Sequence, residues 1–399
     1  MTAFRRLQET SPTGQRALVR VDFNVPVQKG KVSDNTRLRR AKPTIDFLRK
    51  SGAKVILLSH FGRPEGQPEP KFSLQQVIPE LEKILDSKVY FATDCVGETA
   101  KAAIDSISFG DVLLLENTRF HRGEVLDDPV MASKMASLGD LFVIDAFSVT
   151  HRAHVSSFGL AAHLPAYAGL ALEYELDHLG KALGNPVNPV LAIVGGAKVS
   201  TKIELLQNLV TKVDMLCVGG GMANTFLFAL GKPVGKSLCE PDLAEMARTI
   251  MANAKASNCE VLLPEDVVVA KEFKANAEHE IRLATNVAAD EMILDAGPKA
   301  VMALTNAMDR AKTLIWNGPL GAFEFTPFDT ATVTAAKYAA ELTQAGKLVS
   351  VAGGGDTVSA LNLAKVTKQF TFISTAGGAF LEWMEGKQLP GLICLAIKQ

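Results

Sequence analysis

The chain has 399 residues with 42 Lys+Arg and 43 Asp+Glu, so its net charge is 42 − 43 = −1. Hydrophobic residues make up 47% and charged residues 21%, which excludes a disordered or fibrous chain, and the length suggests two or three domains. The balanced charge argues against a nucleic-acid-binding protein, and no apolar stretch is long enough to predict a transmembrane helix. Because the N-terminus also lacks the apolar core of a secretory signal, we expect a cytoplasmic protein with no membrane partner.

Short apolar, β-branched runs alternate with longer amphipathic stretches along the chain. In the first half, the predicted strands are 17–25, 54–60, 89–94, 111–117 and 141–147, and the predicted helices are 36–51, 74–85 and 96–107. In the second half, the predicted strands are 190–195, 215–219, 261–269, 313–316, 348–352 and 370–374, and the predicted helices are 200–210, 332–345 and 358–365. Apolar strands separated by helices predict α/β architecture with two doubly wound, Rossmann-like parallel sheets.

A domain boundary is predicted between Pro165 and Pro189. This stretch combines a polar helical run at 172–183 with a segment rich in Gly, Asn and Pro at 184–189. A helix that ends in such breakers is typical of a connector and hinge. We therefore expect an N-terminal domain of residues 1–170 and a C-terminal domain of residues 171–388 that includes the hinge helix.

The five cysteines are odd in number and widely spaced, at Cys95, Cys217, Cys239, Cys259 and Cys394. None forms a CxxC pair, and no Cys/His cluster has the spacing of a zinc motif. We expect reduced and mostly buried thiols.

Arginine is concentrated in the first half, where 12 of the 15 lie before Leu170. Polar residues lie at or just after the ends of the predicted strands there: Asp22 and Asn24, then His60 and Arg63, then Arg119, then Asp145 with the segment 151–154. Arg37 opens the next helix. Ligands of open parallel sheets bind beyond the C-terminal ends of the strands, so these residues predict a phosphate- and carboxylate-binding pocket. Taken singly, each of them is more typical of a structural ion pair or helix cap than of a ligand site, but their joint recurrence at strand ends favours a site.

The second half contains glycine-rich turns between strands and helices. The segment 195–202 (GGAKVSTK) precedes a predicted helix, and Lys198 and Lys202, four residues apart, are expected on one helical face near its N-terminus. The segment 353–357 (GGGDT) repeats the arrangement, with Asp356 suited to hydrated Mg²⁺ and Thr357 to a phosphate. The loop 316–324 ends in the carboxylate of Glu324, which suits ribose hydroxyls. Plain glycine turns are the alternative for each segment, but together they suggest a nucleotide site facing an anion site across a hinge.

At these residues the sequence resembles the phosphoglycerate kinase family. The matching segments, in the family's order, are RVDFNVP at 20–26, SHFGRP at 59–64, LLLENTRF at 113–120, DAF…HRAH at 145–154, GGAKVSTK at 195–202, WNGPLGAFE at 316–324, GGGDT at 353–357 and EWMEGKQLPG at 382–391. The resemblance covers nearly the whole chain. It implies reversible, Mg²⁺-dependent phosphoryl transfer between ATP and the carboxylate of 3-phosphoglycerate, giving ADP and 1,3-bisphosphoglycerate, in glycolysis and gluconeogenesis.

The resemblance also implies a role for each matched residue. Phosphoglycerate is expected to bind to Asp22, Asn24, Arg37, His60, Arg63, Arg119 and Arg152. The nucleotide is expected to bind to Lys198, Lys202, Gly297, Glu324, Gly354, Gly355, Asp356 and Thr357, with Asp356 toward the metal. Arg37 and Lys198 are expected to grip the transferring phosphoryl group. The family further implies a hinge-bending monomer whose tail, residues 389–399, packs on the N-terminal domain.

Three departures from the family pattern stand out. Ser148, Val149 and Thr150 replace a usual Gly-Thr-Ala, Phe61 replaces a usual leucine, and Ala376 stands where glycine is common. A Cβ at residue 376 would be unfavourable if the backbone there had positive φ. The alternatives to this kinase are another carboxylate or sugar kinase, or a non-catalytic binding or scaffold homologue. None of the carried-over residues is lost, which argues against the scaffold.

Overall fold

The computed structural model describes residues 4–180, 184, 186–374 and 376–397. The chain divides into two units, one containing the chain up to Asp177 together with the segment from Gln388 onward, the other containing His178–Lys387. In the described part of the chain, no helix is both long and apolar enough to cross a membrane.

A parallel sheet forms the centre of the first unit. In its described residues the strand order is β5-β6-β4-β1-β7-β8, and β2 and β3 form a separate antiparallel ribbon. The central strands are rich in Val, Leu and Ile and are buried along nearly their whole length, as expected for a sheet covered on both faces. The strands are β1 (Arg16–Arg20), β2 (Val27–Gln28), β3 (Lys31–Val32), β4 (Lys54–Leu58), β5 (Val89–Ala92), β6 (Val112–Leu115), β7 (Leu141–Ile144) and β8 (Ala166–Ala168).

Helices connect these strands and cover the sheet. The helices are α1 (Thr36–Lys50), α2 (Ile78–Leu85), α3 (Gly97–Ser106), α4 (Pro129–Ala136) and α5 (Leu170–Leu179). The apolar faces of α1 and α2 join the sheet in one core, in which Ile45 and Leu81 pack with Val19 and Leu57. This packing fixes where α1 begins, and therefore where Arg37 in its first turn lies.

Asp145, after β7, has a structural position rather than the exposed one expected of a ligand-binding group. It is buried, and its Oδ1 accepts hydrogen bonds from Thr44 Oγ1 in α1 (2.7 Å) and from the Ala171 N–H in α5 (2.9 Å). Burial raises the pKa of this carboxyl to about 7 despite these bonds. Asp145 thus ties α1 and the start of α5 to the sheet edge.

The second unit also has a parallel sheet, with strand order β11-β10-β9-β15-β16-β17 in its described residues, and a smaller antiparallel sheet of order β13-β12-β14. Its strands are β9 (Val190–Val194), β10 (Met215–Val218), β11 (Glu260–Leu262), β12 (Asp266–Ala270), β13 (His279–Leu283), β14 (Met292–Ala296), β15 (Thr313–Asn317), β16 (Val349–Gly353) and β17 (Phe372–Ser374). Its helices are α6 (Ile203–Leu209), α7 (Gly220–Ala229), α8 (Ala244–Ala256), α9 (Pro298–Arg310), α10 (Thr330–Gln344), α11 (Gly355–Leu363) and α12 (Gly377–Met384).

The C-terminal segment packs within the first unit. It contains the short helix α13 (Pro390–Ile393). The Gly391 N–H donates to Thr150 O (2.8 Å), and the Arg5 N–H donates to Leu395 O (3.0 Å). The last two residues of the predicted tail, 398–399, lie outside the described residues, as do residues 181–183 of the predicted hinge helix.

The predicted fold class is confirmed, because both units are doubly wound around parallel sheets. One strand prediction is wrong: the segment 261–269, predicted as a single strand, falls in two strands, β11 and β12, in different sheets. Pro264 lies between them, and proline cannot donate to a strand ladder.

The helices α7, α8 and α9 and the antiparallel sheet were not predicted. In α7 most residues are buried, so its sequence has no polar face to reveal a helical period.

Candidate active site

The C-terminal ends of three neighbouring strands bring the first set of polar residues together. Asp22 follows β1, His60 follows β4 and Arg119 follows β6, and these strands lie side by side in the order β6-β4-β1. The chain leaves regular structure after Arg20, earlier than the predicted strand end at residue 25. The irregular backbone that follows turns Asp22 and Asn24 toward the first turn of α1.

Arg37 is held by both of these residues. Its Nη1 lies 2.8 Å from Asp22 Oδ2 and donates to Asn24 O at 2.9 Å. The same Asp22 oxygen accepts a hydrogen bond of 2.5 Å from Ser148 Oγ. One Arg37 nitrogen is therefore fixed by the protein, while about a third of its side chain stays accessible (32%) and can meet an anion.

Gly62 links this group to the neighbouring arginines through its backbone. Its N–H donates to Asn24 Oδ1 (2.9 Å), and its carbonyl accepts from Arg119 Nη1 (2.8 Å). Arg119 lines a cavity of about 430 Å³ together with Arg63 and Arg152, both of which are exposed. Burial and then the nearby Arg20 lower the pKa of Arg119 to about 10, so it is cationic at neutral pH. These cations have few compensating carboxylates at the cavity, which suits an anionic ligand.

His60 is buried against a second arginine, Arg20, whose Nη2 lies 3.0 Å from His60 Nδ1. A guanidinium only donates hydrogen bonds, so Nδ1 must accept and the proton must be on Nε2. Burial, and then the charge of Arg20, place the pKa of His60 well below its usual value. His60 is therefore a neutral hydrogen-bond donor and contributes no positive charge.

Arg20 lies at the candidate site beside His60, but it is not among the site residues predicted from the sequence. It is 1% exposed, and its Nε donates to Ser156 Oγ (2.7 Å), which in turn donates to the buried Glu124 (2.5 Å). Its position at the end of β1, inside the first matched motif, was a signal that could have identified it. Ser148 departs from the family pattern, and its bond to Asp22 is visible only in the structure.

In the second unit, Lys202 lies at the centre of a network of loop residues. Its Nζ donates to Gly195 O (2.6 Å) and to Asn317 Oδ1 (2.6 Å). Asn317 Nδ2 donates to Gly353 O (2.8 Å), which connects the network to β16. Burial lowers the pKa of Lys202 to about 8, and the charge of Asp356 opposes that shift. Asn317 was not assigned from the sequence, although it lies within the matched loop 316–324.

The prediction that Lys198 and Lys202 lie on one helical face is wrong. Lys198 has extended backbone (φ −135°, ψ 133°) and precedes a single 3₁₀ turn, Val199–Thr201. Lys202 then caps α6. The two lysines therefore share no helical face: Lys198 is exposed, whereas Lys202 points inward to the carbonyl groups of two loops.

A cavity of about 550 Å³ lies next to this network. Its lining is mostly apolar, with glycine backbone at one end and the carboxylates of Glu324 and Asp356 among its polar groups. Gly297 does not line it directly, but caps α9, whose residues Ala300 and Val301 do. Of the other predicted nucleotide residues in the described chain, Lys198, Lys202, Gly354, Gly355 and Thr357 lie outside its lining.

The turn at 353–357 is tied to the loop after β15. Gly354 has a positive φ of +97°, and the Gly318 N–H donates to Thr357 Oγ1 (2.7 Å). Thr357 is buried, and because its hydroxyl oxygen only accepts in this bond, the hydroxyl can still donate a hydrogen bond to a ligand. Gly355 is exposed at the start of α11, where the backbone N–H groups of the first helical turn have no partner within the helix. Ala376 has a negative φ of −97°, so a Cβ causes no backbone strain at this position.

Two parallel-sheet units, one with a basic cavity and one with glycine-rich loops around a larger cavity, define a two-domain α/β kinase. A family model described as "Phosphoglycerate kinase" matches residues 7–387. The chain therefore belongs to the phosphoglycerate kinase family, and it is a phosphotransferase. The resemblance predicted from the sequence motifs is confirmed.

Relatives across the full length support this assignment. The chain is 60% identical to "Phosphoglycerate kinase" of Sinorhizobium fredii over 98% of both chains, and 58% identical to that of Methylorubrum populi over 100% of both. Among solved structures, "Structure of phosphoglycerate kinase from Coxiella burnetii" superposes with a TM-score of 0.92 at 41% identity, covering 98% of this chain and 99% of that one. The enzyme from Pyrococcus horikoshii superposes with a TM-score of 0.82 at 28% identity, covering 98% of each chain.

Proposed function

We propose that this chain transfers a phosphoryl group reversibly between ATP and the carboxylate of 3-phosphoglycerate, as a step of glycolysis and gluconeogenesis. The observation that carries the proposal is the basic cavity of the first unit, where Arg63, Arg119 and Arg152 come together. With Arg122, four arginines line this cavity, and so many guanidinium groups suit a small ligand with several negative charges far better than a neutral sugar.

The first unit supplies the acceptor site in this proposal. Arg63, Arg119 and Arg152 bind the phosphate at C3, and the neutral His60 donates a hydrogen bond from Nε2. Asp22 and Asn24 orient the acceptor and hold Arg37 beside the reacting carboxylate. A carboxylate acceptor is ionised at neutral pH, so no general base is required, which agrees with a site rich in cations.

The second unit supplies the nucleotide site. The apolar part of its cavity accommodates the adenine, and Glu324 accepts from the ribose hydroxyls. Lys202 and the α11 N-terminus, with Gly354, Gly355 and Thr357, bind the phosphates, and Gly297 shapes the cavity wall at the start of α9. Lys198 is exposed and has room to reach a terminal phosphate.

Asp356 fits the requirements of Mg²⁺. It is an exposed carboxylate on the cavity wall, and Mg²⁺ in kinases is usually bound by one or two carboxylates together with nucleotide phosphates. The metal, when bound, neutralises charge on the phosphates. The remaining work belongs to the protein: it aligns the acceptor with the nucleotide and excludes water.

Arg37 and Lys198 are proposed to stabilise charge on the transferring phosphoryl group, Arg37 from the acceptor side and Lys198 from the nucleotide side. Their loss is expected to lower kcat much more than it raises KM. The dependence on Mg²⁺, the cytoplasmic location, the monomeric state, the absence of nucleic-acid partners and the hinge bending that accompanies turnover also stay predictions.

The direct test is a coupled assay with Mg²⁺-ATP and a panel of acceptors. We expect turnover with 3-phosphoglycerate and none with glucose or acetate at the same concentrations. Turnover with another acceptor would replace the proposed substrate. Binding of ATP without turnover on any acceptor would favour the scaffold homologue.

The affinity for ADP is expected to fall as the pH rises through about 8, because Lys202 then loses its proton and its charge. Replacing Lys202 with arginine, which stays charged at these pH values, should remove this step. Isothermal titration calorimetry with ADP, from neutral pH to above the pKa of the lysine, measures both. The exposed Lys212, before β10 at the opposite end of the sheet, provides the control: Lys212→Arg should leave the step in place. An unchanged step in Lys202→Arg would contradict the assignment.

A further inference from the structure

A cluster of metal-ligating groups lies outside the residues assigned to the substrates. Asp94 and Cys95 follow β5, and His121 follows β6 after a short 3₁₀ turn. The two strands are parallel neighbours, with Ala92 paired to Leu115, so their C-terminal ends bring the three side chains together. In sequence they are too far apart to resemble a zinc motif, and only the sheet brings them together.

The three side chains are close enough to share one ion. One ligand atom of each lies within 4.8 Å of the others, and no other such group occurs in the described part of the chain. His121 Nε2 is 2.7 Å from Asp94 Oδ1, which also accepts from the N–H groups of Cys95 (2.6 Å) and Val96 (3.3 Å). These bonds fix the carboxylate, while its Oδ2 makes no hydrogen bond within the described residues.

The burial of the Cys95 thiol is a second observation that points to a bound ion. The thiol is 0% exposed and makes no hydrogen bond to another residue that the structure describes. The thiols of Cys239, Cys259 and Cys394 each lie within hydrogen-bonding distance of a carbonyl oxygen. The buried Cys217 also makes no such bond, but among the described residues only Cys95 lies beside both a carboxylate and an imidazole. Cys95 is thus a buried, unpartnered soft donor directed at a carboxylate and an imidazole.

We propose that Asp94, Cys95 and His121 bind a borderline divalent cation, namely Zn²⁺. Nitrogen, sulfur and oxygen donors together are typical of zinc, whereas Mg²⁺ requires oxygen donors and near-octahedral geometry. Binding forms one bond from zinc to each side chain and replaces the hydrogen bond between His121 and Asp94. The imidazole nitrogen that binds zinc carries no proton, so the neutral ring keeps its proton on the other nitrogen, and the thiol proton is released to solvent. The carboxylate and the resulting thiolate balance the charge of the ion.

The position of the cluster indicates how the ion would be reached. The side chains of Asp94 and His121 are 38% and 36% exposed, which opens a path from solvent to the buried thiol. His121 also lines the basic cavity, so its arginines oppose a cation there and the affinity should be lower than at a structural zinc site. Three protein ligands leave a fourth zinc position for water or an anion.

Titration of the full-length, metal-free protein with Co²⁺ tests the proposal, because cobalt replaces zinc and reports its ligands by absorption. We expect one equivalent to bind with a thiolate-to-cobalt charge-transfer band, and added Zn²⁺ to remove that band. Titration with Zn²⁺ in a weakly buffered indicator solution should release about one proton per ion. No saturable binding, or binding without the thiolate band, would overturn the proposal.

Matched variants locate the site. Cys95→Ser should lose the charge-transfer band, and His121→Asn should weaken Co²⁺ binding at least about tenfold. Cys239→Ser, which changes a more accessible thiol, should keep the band. Because a substitution at the buried Cys95 can disturb folding, circular dichroism is recorded for each variant, and the partly exposed His121 gives an independent result. A band that survives both Cys95→Ser and His121→Asn would place the metal elsewhere.

Discussion

Replacing Arg37 with alanine is expected to lower kcat about a thousandfold while KM for 3-phosphoglycerate changes far less. The reason is positional. Arg37 is held in place by Asp22 Oδ2 and Asn24 O, so its guanidinium is already oriented before a ligand binds. An oriented cation in a partly dry site stabilises the charge that develops on the phosphoryl group without having to reorganise. Steady-state kinetics in both substrates measures the two constants.

Arg39 provides the matched control for this experiment. It lies in the same helical turn of α1, but its Nε donates to Asn35 Oδ1 (2.9 Å) and it makes no contact with Asp22. Arg39→Ala should therefore keep kcat near the wild-type value. A rise in KM with unchanged kcat in Arg37→Ala would assign Arg37 to binding alone, and equal losses in both variants would point to a general change in charge or folding.

Replacing Gly318 with alanine is expected to destabilise the second unit by more than about 4 kcal/mol, which is exceptional for one substitution. Gly318 has φ +103°, and a Cβ there would overlap the carbonyl oxygen of Gly195 and lie 2.5 Å from its carbonyl carbon. The clash is with backbone, which cannot rotate away. Because Gly195 O also accepts from Lys202, any shift of that loop should weaken nucleotide binding as well.

The variant Gly231→Ala separates the two causes of this loss of stability, the positive φ and the clash of the added Cβ with backbone. Gly231 also has positive φ (+75°), but no heavy atom lies within 4 Å of its added Cβ. Gly231→Ala should therefore cost only the backbone strain, about 1–2 kcal/mol. Urea unfolding followed by tryptophan fluorescence measures both variants, since Trp316 and Trp383 both lie in the second unit. Similar losses in the two variants would mean that the loop relaxes and the backbone contact is unimportant.

The alternation of apolar strands with helices was readable because buried parallel strands carry continuous Val, Leu and Ile runs. The rule does not apply to elements whose burial differs from that of a central strand or an amphipathic helix. The strand β13 is largely exposed and the helix α7 is buried on nearly all sides, so neither has the expected pattern. The boundary between β11 and β12 has a signal in the sequence, because Pro264, Glu265 and Asp266 interrupt the apolar residues of 261–269. That β12 joins a different sheet from β11 is visible only in the structure.

For the site residues too, the sequence revealed their positions in the fold but not their contacts. Motifs placed Asp22, Arg37 and Arg119 correctly at strand ends or at the start of a helix, because a strand followed by a turn always directs its last residues to one edge of the sheet. Motifs could not show which hydrogen-bond partners each group has in the folded chain. Ser148 bonding to Asp22 and Asn317 bonding to Lys202 depend on chain segments more than a hundred residues apart.

The sequence by itself therefore determined the family, the two-sheet architecture and the residue types of both sites, because local periodicity and contiguous motifs carry that information. The tertiary structure decided the electrostatic state of the site. His60 is neutral because burial, and then the charge of Arg20, lowers its pKa, and the pKa of Lys202 is about 8 because the surrounding loops bury it. It also decided that Asp94, Cys95 and His121 meet. Desolvation and the approach of distant side chains depend on three-dimensional packing, which no local pattern encodes.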